Sequence, residues 1–199
     1  MLIDSRKKLY EVLSYEKERY FVQKRSLRES IIMKYERPLV TQIWQYQVLL
    51  RKNEYYLTKK TKIGSVLLHI VKRKRNILGG QISLEIYPGC FAEGLLIYHT
   101  GIVVNGKVKA GKNCVLHGNN CIGNKGNNSS DSDLKDVPII GDNVDIGYGA
   151  VLIGNVAIAD GCTIGANAVV NKTFEEKDST IIGVPAKVKN DTNKTNTLG

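Results

Sequence analysis

The 199-residue sequence has no apolar run long enough to cross a membrane and no apolar block near its start. A membrane-spanning helix needs about 20 consecutive apolar residues, and a secretory signal peptide needs a shorter apolar core behind basic residues. The four cysteines show no C-x-x-C spacing, so the metal and redox motifs built on such pairs are missing as well. These absences predict a cytoplasmic chain with reduced cysteines in its core and no metal site.

Basic charge is concentrated in the first part of the chain. Residues 1–78 hold 19 of the 29 Lys and Arg residues but 7 of the 19 acidic ones, which gives this segment a net charge of +12. Its apolar residues recur at helical spacing, so we predict a basic α-helical domain over residues 1–80. The positive face could meet an anionic membrane surface, such as the inner face of the cell membrane, or a neighbouring subunit, and the alternative is a solvated helical face without a partner. Nucleic acid is disfavoured as a partner because no nucleic-acid-binding motif accompanies the charge.

A period of six residues dominates the second part of the chain. A branched aliphatic residue returns at every sixth position between residues 139 and 170, namely at Ile140, Ile146, Leu152, Ile158, Ile164 and Val170. This period matches neither a helix nor an exposed strand, and the intervening glycine and asparagine residues tolerate the positive φ of tight corners. The repeat predicts a mainly β domain over residues 81–188, built as a parallel β-helix with three short strands in each coil.

The repeat is interrupted once. Its phase runs upstream through Val104, Ala110, Leu116 and Ile122, and then the polar segment at residues 124–137 follows. Because the phase is kept across this segment, we interpret it as a loop thrown out of one coil, and long loops in compact repeats often carry function. A disordered insertion without a role is the alternative. Residues 189–199 are predicted to form a flexible tail.

The three histidines are the candidate proton acceptors, since imidazole titrates near neutral pH. His69 lies in a helical segment, where a structural role fits better. His99 follows the strand-like "GLLIY" at a predicted corner, where it would project from the coil. His117 follows the inward Leu116 and could line an outer groove. Glu85 is the nearest upstream carboxylate that could orient an imidazole.

Three stretches, "GLLIYHTGIVVN", "PIIGDNVDIGYGAVLIGNVAIADGCTIGANAVV" and "IIGVPAKV", resemble the serine acetyltransferase branch of the hexapeptide-repeat acyltransferases. The similarity is greatest to its surface-polysaccharide O-acetyltransferase members and covers roughly residues 82–188. The resemblance implies the left-handed form of the parallel β-helix and acetyl-CoA as the acetyl donor. It also implies a homotrimer with the donor in a groove between neighbouring β-helices, while pairing of trimers into hexamers stays open.

The resemblance also implies roles for individual residues. His99 matches the catalytic base of the family, and Glu85 falls, with a one-residue gap, where an aspartate commonly supports that base. The positions that match the donor-binding residues are Asn124, Tyr148, Ala166, Gly183 and Lys187. On the acceptor side we place Tyr98, His117 and Asp136.

The acceptor is where the sequence departs from the serine enzymes of this family. Zwitterionic serine needs an anion and a cation in its pocket, because unpaired buried charge is costly. The serine enzymes place an aspartate before the catalytic histidine and an arginine–histidine pair before the proline that re-enters the coil, but here these positions hold Tyr98, and Asp136 with Val137. This departure predicts transfer to a sugar hydroxyl of a surface polysaccharide or its precursor.

Three alternatives to that prediction stay open at this point. One is a serine O-acetyltransferase of cysteine biosynthesis, and another, of a different class, is a catalytically inactive β-helix scaffold. A zinc enzyme like the hexapeptide carbonic anhydrases would need three histidine ligands, and His99 and His117 alone fall short.

Overall fold

The structure, a computed structural model, describes residues 3–21, 36, 38–125 and 136–189. Within these residues three helices precede fourteen short strands. The helices are α1 (Arg6–Tyr20), α2 (Pro38–Leu57) and α3 (Lys62–Ile82). The strands are β1 (Leu84–Ile86), β2 (Leu96–Ile97), β3 (Ile102–Val104), β4 (Lys109–Ala110), β5 (Val115–Leu116), β6 (Cys121–Gly123), β7 (Ile139–Ile140), β8 (Asp145–Ile146), β9 (Val151–Ile153), β10 (Ala157–Ile158), β11 (Thr163–Ile164), β12 (Val169–Val170), β13 (Thr180–Ile182) and β14 (Lys187–Val188).

The strands form three sheets that together make a parallel β-helix. A five-stranded sheet has the order β1-β3-β6-β9-β12, a three-stranded sheet the order β10-β7-β4, and a six-stranded sheet the order β14-β13-β11-β8-β5-β2. Neighbouring strands pair in parallel, except that β13 and β14 form an antiparallel hairpin at the end of the described chain. The predicted fold class, a parallel β-helix preceded by a small helical region, is confirmed.

The aliphatic ladder fills the interior of the β-helix. Each of the six ladder residues from Ile140 to Val170 is at most 3% exposed. Asparagine takes the left-handed conformation at corners between the sheets, with φ near 57° at Asn113 and Asn143. Their side chains also stack, since Asn113 Nδ2 donates to Asn143 Oδ1 over 3.0 Å. The six-residue spacing therefore serves the core, and the intervening polar residues serve the turns.

The helices cover the first coil of the β-helix. The first coil of a solenoid has unpaired backbone groups on its outer edge, which must find other partners when they are buried. Tyr46 of α2 provides two such bonds, because its hydroxyl accepts from Ile86 N over 2.9 Å and donates to Ile86 O over 3.2 Å. Gln47 donates to Leu95 O over 2.8 Å in the same way. The helical region thus acts as a cap on the β-helix.

A buried ionic cluster joins this cap to the first coil. Arg51 of α2 is 1% exposed and lies between Glu16 of α1, 2.7 Å away, and Glu54, 3.0 Å away, both fully buried. The guanidinium also donates to the carbonyls of Phe91 and Ala92. Burial alone would lower the pKa of Arg51, but the carboxylates of Glu54 and Glu16 outweigh it and raise that pKa. The basic helical region therefore contains a charged core that its net charge did not indicate.

The junction between the cap and the β-helix depends on Gly79. A side-chain carbon at this position would lie 2.5 Å from the carbonyl oxygen of Leu84, so α3 could not approach β1 with any larger residue. The predicted boundary at residue 80 falls in the last turn of α3, which ends at Ile82. Of the predicted loop at 124–137 and tail at 189–199, residues 126–135 and 190–199 lie outside the described residues. No described helix has the length and apolar character needed to span a bilayer.

Candidate functional site

One corner of the β-helix brings together residues from five coils. The inward residues Ile97, Leu116, Ile146, Ile164 and Ile181 are in register across the six-stranded sheet. The residue two positions after each of them lies at the following corner, and these five residues are His99, Gly118, Tyr148, Ala166 and Gly183. We call this set the corner column. Four of the residues predicted for the site therefore belong to one continuous feature.

Gly118 leaves a space in the corner column between His99 and Tyr148. A side-chain carbon on Gly118 would lie 2.6 Å from Cβ of His99, so any other residue would displace the histidine. Across this gap the ring centroids of His99 and Tyr148 are 6.4 Å apart in an edge-to-face arrangement. The His99 side chain is exposed, and no described residue donates to or accepts from its imidazole. The imidazole is thus open to a ligand on the corner.

Glu85 does not support His99 in the structure. It lies on β1 in register with Val103, beyond the corner in the five-stranded sheet. Its carboxylate accepts a hydrogen bond from the Tyr87 hydroxyl over 3.2 Å instead. The two candidate catalytic residues are near each other in the coil stack, because Gly101 N donates to Ser83 O over 2.9 Å, but they do not contact each other.

The outer face beside the corner column carries a second group of polar side chains. The Tyr98 and His117 rings lie on neighbouring coils with centroids 5.0 Å apart. His117 Nε2 lies 2.8 Å from Asp145 Oδ1, which forms an ion pair when the imidazole is protonated. Both side chains are about two fifths exposed, so this pair is open to solvent. The structure therefore links Tyr98, His117 and Asp145 on one face.

Sequence reasoning missed Asp145. The alternation of the strand shows that a residue just before the inward Ile146 faces outward, but it does not show which side chain of the previous coil is its neighbour. The polar loop separates the two coils in sequence, so the pair with His117 becomes visible only once the coils are in register.

The remaining predicted residues lie elsewhere on this chain. Asn124 follows β6, at the corner after the five-stranded sheet, where its Oδ1 accepts from Asn105 Nδ2 over 3.4 Å. Asp136 is half-buried just before β7, and Val137 is a core residue with 6% exposure. The side chain of Val137, which stands where the serine enzymes have a charged residue, therefore belongs to the core of the β-helix. Lys187 is exposed on β14 opposite Ile182, next to the Gly183 end of the corner column.

The cysteines are structural with one exception. Cys90, Cys114 and Cys162 are buried, and burial raises the pKa of Cys90 to about 11 and that of Cys114 to about 12. Cys121 is exposed, so the prediction that all four lie in the core was wrong for it. It directly precedes the inward Ile122 and so faces outward. The described part of the chain contains no group of three or more His, Cys, Asp or Glu side chains placed to hold a metal ion.

The similar proteins described here are serine acetyltransferases. The serine acetyltransferase of Synechococcus elongatus is 32% identical over 107 residues, which cover 53% of this chain and 42% of that protein. The serine acetyltransferase of Staphylococcus xylosus is 28% identical over 164 residues, covering 75% of this chain and 74% of the relative. This chain spans less than half the length of the Synechococcus relative and of a serine acetyltransferase from Buchnera aphidicola. No family model matches the chain.

Solved structures share the fold. A crystal structure of Neisseria gonorrhoeae serine acetyltransferase superimposes with a TM-score of 0.66 and 23% identity, covering 96% of this chain and 70% of that one. Soybean serine acetyltransferase complexed with serine superimposes with a TM-score of 0.57 and 25% identity, covering 74% and 57%. The similarity is to the serine acetyltransferase branch of the acyltransferases.

These relatives overturn the predicted polysaccharide acceptor. Each of the proteins compared above is named a serine acetyltransferase, and none is named for a sugar acceptor. The prediction failed because it required the charge partners of serine at fixed sequence positions. The outer face carries both an acid and a potential cation at other positions, Asp145 and His117. They lie beside Tyr98, which was interpreted as evidence against serine because it replaces an aspartate.

Proposed function

We propose that this chain is an acetyl-CoA-dependent serine O-acetyltransferase, which transfers the acetyl group to the hydroxyl of L-serine. The observation that carries this proposal is the corner column, where an exposed histidine stands at one end of a continuous row of matching donor positions. The names of the relatives support the choice of serine as the acceptor.

His99 is the general base in this proposal. It takes the proton from the serine hydroxyl as the oxygen attacks the thioester carbon, and the proton then passes to the sulfur as the carbon–sulfur bond breaks. No covalent intermediate on the protein is needed. Because Glu85 is engaged by Tyr87, we assign it at most an indirect part through the electrostatics of the corner.

His117 fits the base role less well than His99. Its Nε2 lies against Asp145, so only Nδ1, the ring nitrogen nearer the backbone, is left to accept a proton from serine. The open imidazole of His99 has no such partner among the described residues. We therefore assign His117 and Asp145 to the acceptor, with the carboxylate facing the serine ammonium and Tyr98 as the neighbouring wall.

The donor is proposed to run along the corner column away from His99. Acetyl-CoA supplies the activated acetyl thioester. Tyr148, Ala166 and Gly183 would contact the pantetheine arm, largely through their backbone groups. Lys187 is the exposed cation at the far end, which suits the phosphates of the nucleotide. The residues present thus fit the donor from its acetyl end to its charged end.

A homotrimer would complete the donor site. Asn124 is at a different corner of this chain from His99, so the two cannot line one groove within a single β-helix. If the corner with Asn124 of one subunit faces the corner column of the next, both line the same groove. Trimer formation is therefore part of the proposal, and the pairing of trimers is not.

Release of CoA from acetyl-CoA, measured with a panel of acceptors, tests this proposal. L-serine should give the highest kcat/KM, while N-acetylglucosamine and glucose should give rates near the acceptor-free background. 3-Hydroxypropionate, which keeps the hydroxyl and carboxylate but lacks the ammonium, should be a much poorer acceptor. Efficient acetylation of a sugar without serine turnover would contradict the proposal, and no acceptor-dependent release at all would favour an inactive scaffold.

A further inference from the structure

Helix α3 presents an apolar face to solvent. Ile63, Val66, Ile70 and Ile77 are 75%, 61%, 46% and 54% exposed. They lie three, seven and fourteen residues along the helix from Ile63, which aligns them on one side. We call these four residues the α3 stripe. A row of exposed branched aliphatics on one helix is unlike the scattered apolar residues of an ordinary surface and indicates an interaction site.

The opposite side of α3 already has its partner. Gly79 packs against the Tyr46 ring of α2, where a side-chain carbon would lie 2.9 Å from Tyr46 Cε2. Arg75 is also buried and donates to Asn53 of α2 over 3.2 Å. Helix α2 thus covers one side of α3, and the α3 stripe lies on the other. Packing among the described residues does not account for the α3 stripe.

The charge of α3 limits what can cover the α3 stripe. The helix carries four exposed basic residues, Lys62, Lys72, Arg73 and Lys74, and its sequence contains no Asp or Glu. Arg73 and Lys74 follow Ile70 by three and four residues, so they border the α3 stripe on its own side of the helix. If two copies met through this face, these cations would approach each other without a carboxylate on either helix to pair with them. Pairing of two copies through their α3 helices is therefore unfavourable.

We propose that the α3 stripe docks on the surface of an anionic phospholipid bilayer. An amphipathic helix that binds in the plane of a membrane buries an apolar face at the headgroup level and holds Lys and Arg near the lipid phosphates. The α3 stripe supplies the apolar face, and Arg73 and Lys74 supply cations whose aliphatic stems can extend along it. The helix lies on the surface and does not cross it.

Sedimentation with vesicles tests the proposal on the full chain. The wild type should bind vesicles that contain phosphatidylglycerol and should not bind vesicles of phosphatidylcholine alone. Replacing Arg73 and Lys74 by Gln should lower the partition coefficient by about thirtyfold, because each cation near an anionic surface contributes a factor of about five. The Ile63→Ser/Val66→Ser/Ile70→Ser variant should lower it by roughly tenfold or more, because the apolar contact is lost.

Tyr10→Ser is the matched control, because Tyr10 is a 62% exposed apolar residue on α1 outside the α3 stripe and should leave binding unchanged. Circular dichroism should show that all variants stay folded, as the substituted residues are exposed. If the wild type does not bind anionic vesicles, the proposal is wrong. It is also wrong if the stripe variant binds like the wild type, or if light scattering shows that it has lost subunits, which would make the stripe a contact between copies.

Discussion

At the scale of single residues, position within a coil decides what each side chain can do. Cys114 and Cys121 are close in sequence, yet one is fully buried and the other exposed, because they stand at different places in the six-residue unit. The thiolate is the reactive form of cysteine, and burial holds the pKa of Cys114 at about 12. Identity of the residue alone therefore does not predict reactivity.

We predict that Cys121 is the one thiol of the native protein that reacts readily with Ellman's reagent at neutral pH. Cys90 and Cys114 should stay protected by burial and by their raised pKa values. The Cys121→Ser variant should lose the fast phase of the reaction, and Cys90→Ser should keep it. A fast phase in Cys121→Ser would contradict the burial of the other thiols.

The predicted site residues came from the family resemblance and not from the repeat. The resemblance assigned roles to His99, Tyr148, Ala166 and Gly183, and the structure shows that each stands two positions after an inward residue. Asp145 was missed because it lies in the coil that follows the polar loop. There the sequence does not show which side chain meets which across coils.

At the scale of elements, the helical cap is held to the β-helix by polar contacts as well as apolar ones. Glu16 and Glu54 accept hydrogen bonds from the backbone N–H groups of Gly94 and Gly89, each over 3.0 Å, while Arg51 forms an ion pair with each acid. The cluster therefore satisfies donors on the first coil that no neighbouring strand can reach. Sequence analysis predicted the helices but not this cluster, since helical spacing says nothing about which charges become buried.

We predict that Arg51→Met strongly destabilises the protein, by about 3–5 kcal/mol, because it leaves two buried carboxylates without a cation. The triple variant Glu16→Gln/Arg51→Met/Glu54→Gln should recover part of this loss, since neutral amides can still accept from the backbone. Urea unfolding measures both effects, with the exposed Arg6→Met as a control near the wild type. Equal stability of Arg51→Met and the control would show that the cluster does not hold the cap.

At the scale of the whole molecule, the helical cap, the β-helix and the corner column have different roles. The solenoid gives regular spacing, so that residues far apart in sequence line up along the corner column. The cap covers the first coil and carries the apolar α3 stripe, bordered by Arg73 and Lys74, on its outside. The fold could be predicted because the repeat is long and strict, whereas the acceptor could not, because it depends on side chains from separate coils.

The loss of activity in His99→Ala is the measurement that tests the central claim most directly. Removal of a general base should lower kcat for L-serine acetylation by about 10²–10⁴-fold. Acetyl-CoA affinity and thermal stability should stay near the wild type, because the His99 side chain is exposed. His69→Ala, which removes an exposed imidazole on α3, is the matched control and should keep full activity. A His99→Ala enzyme with near-normal kcat would contradict the account. A larger loss of activity in His117→Ala would assign the general base to His117.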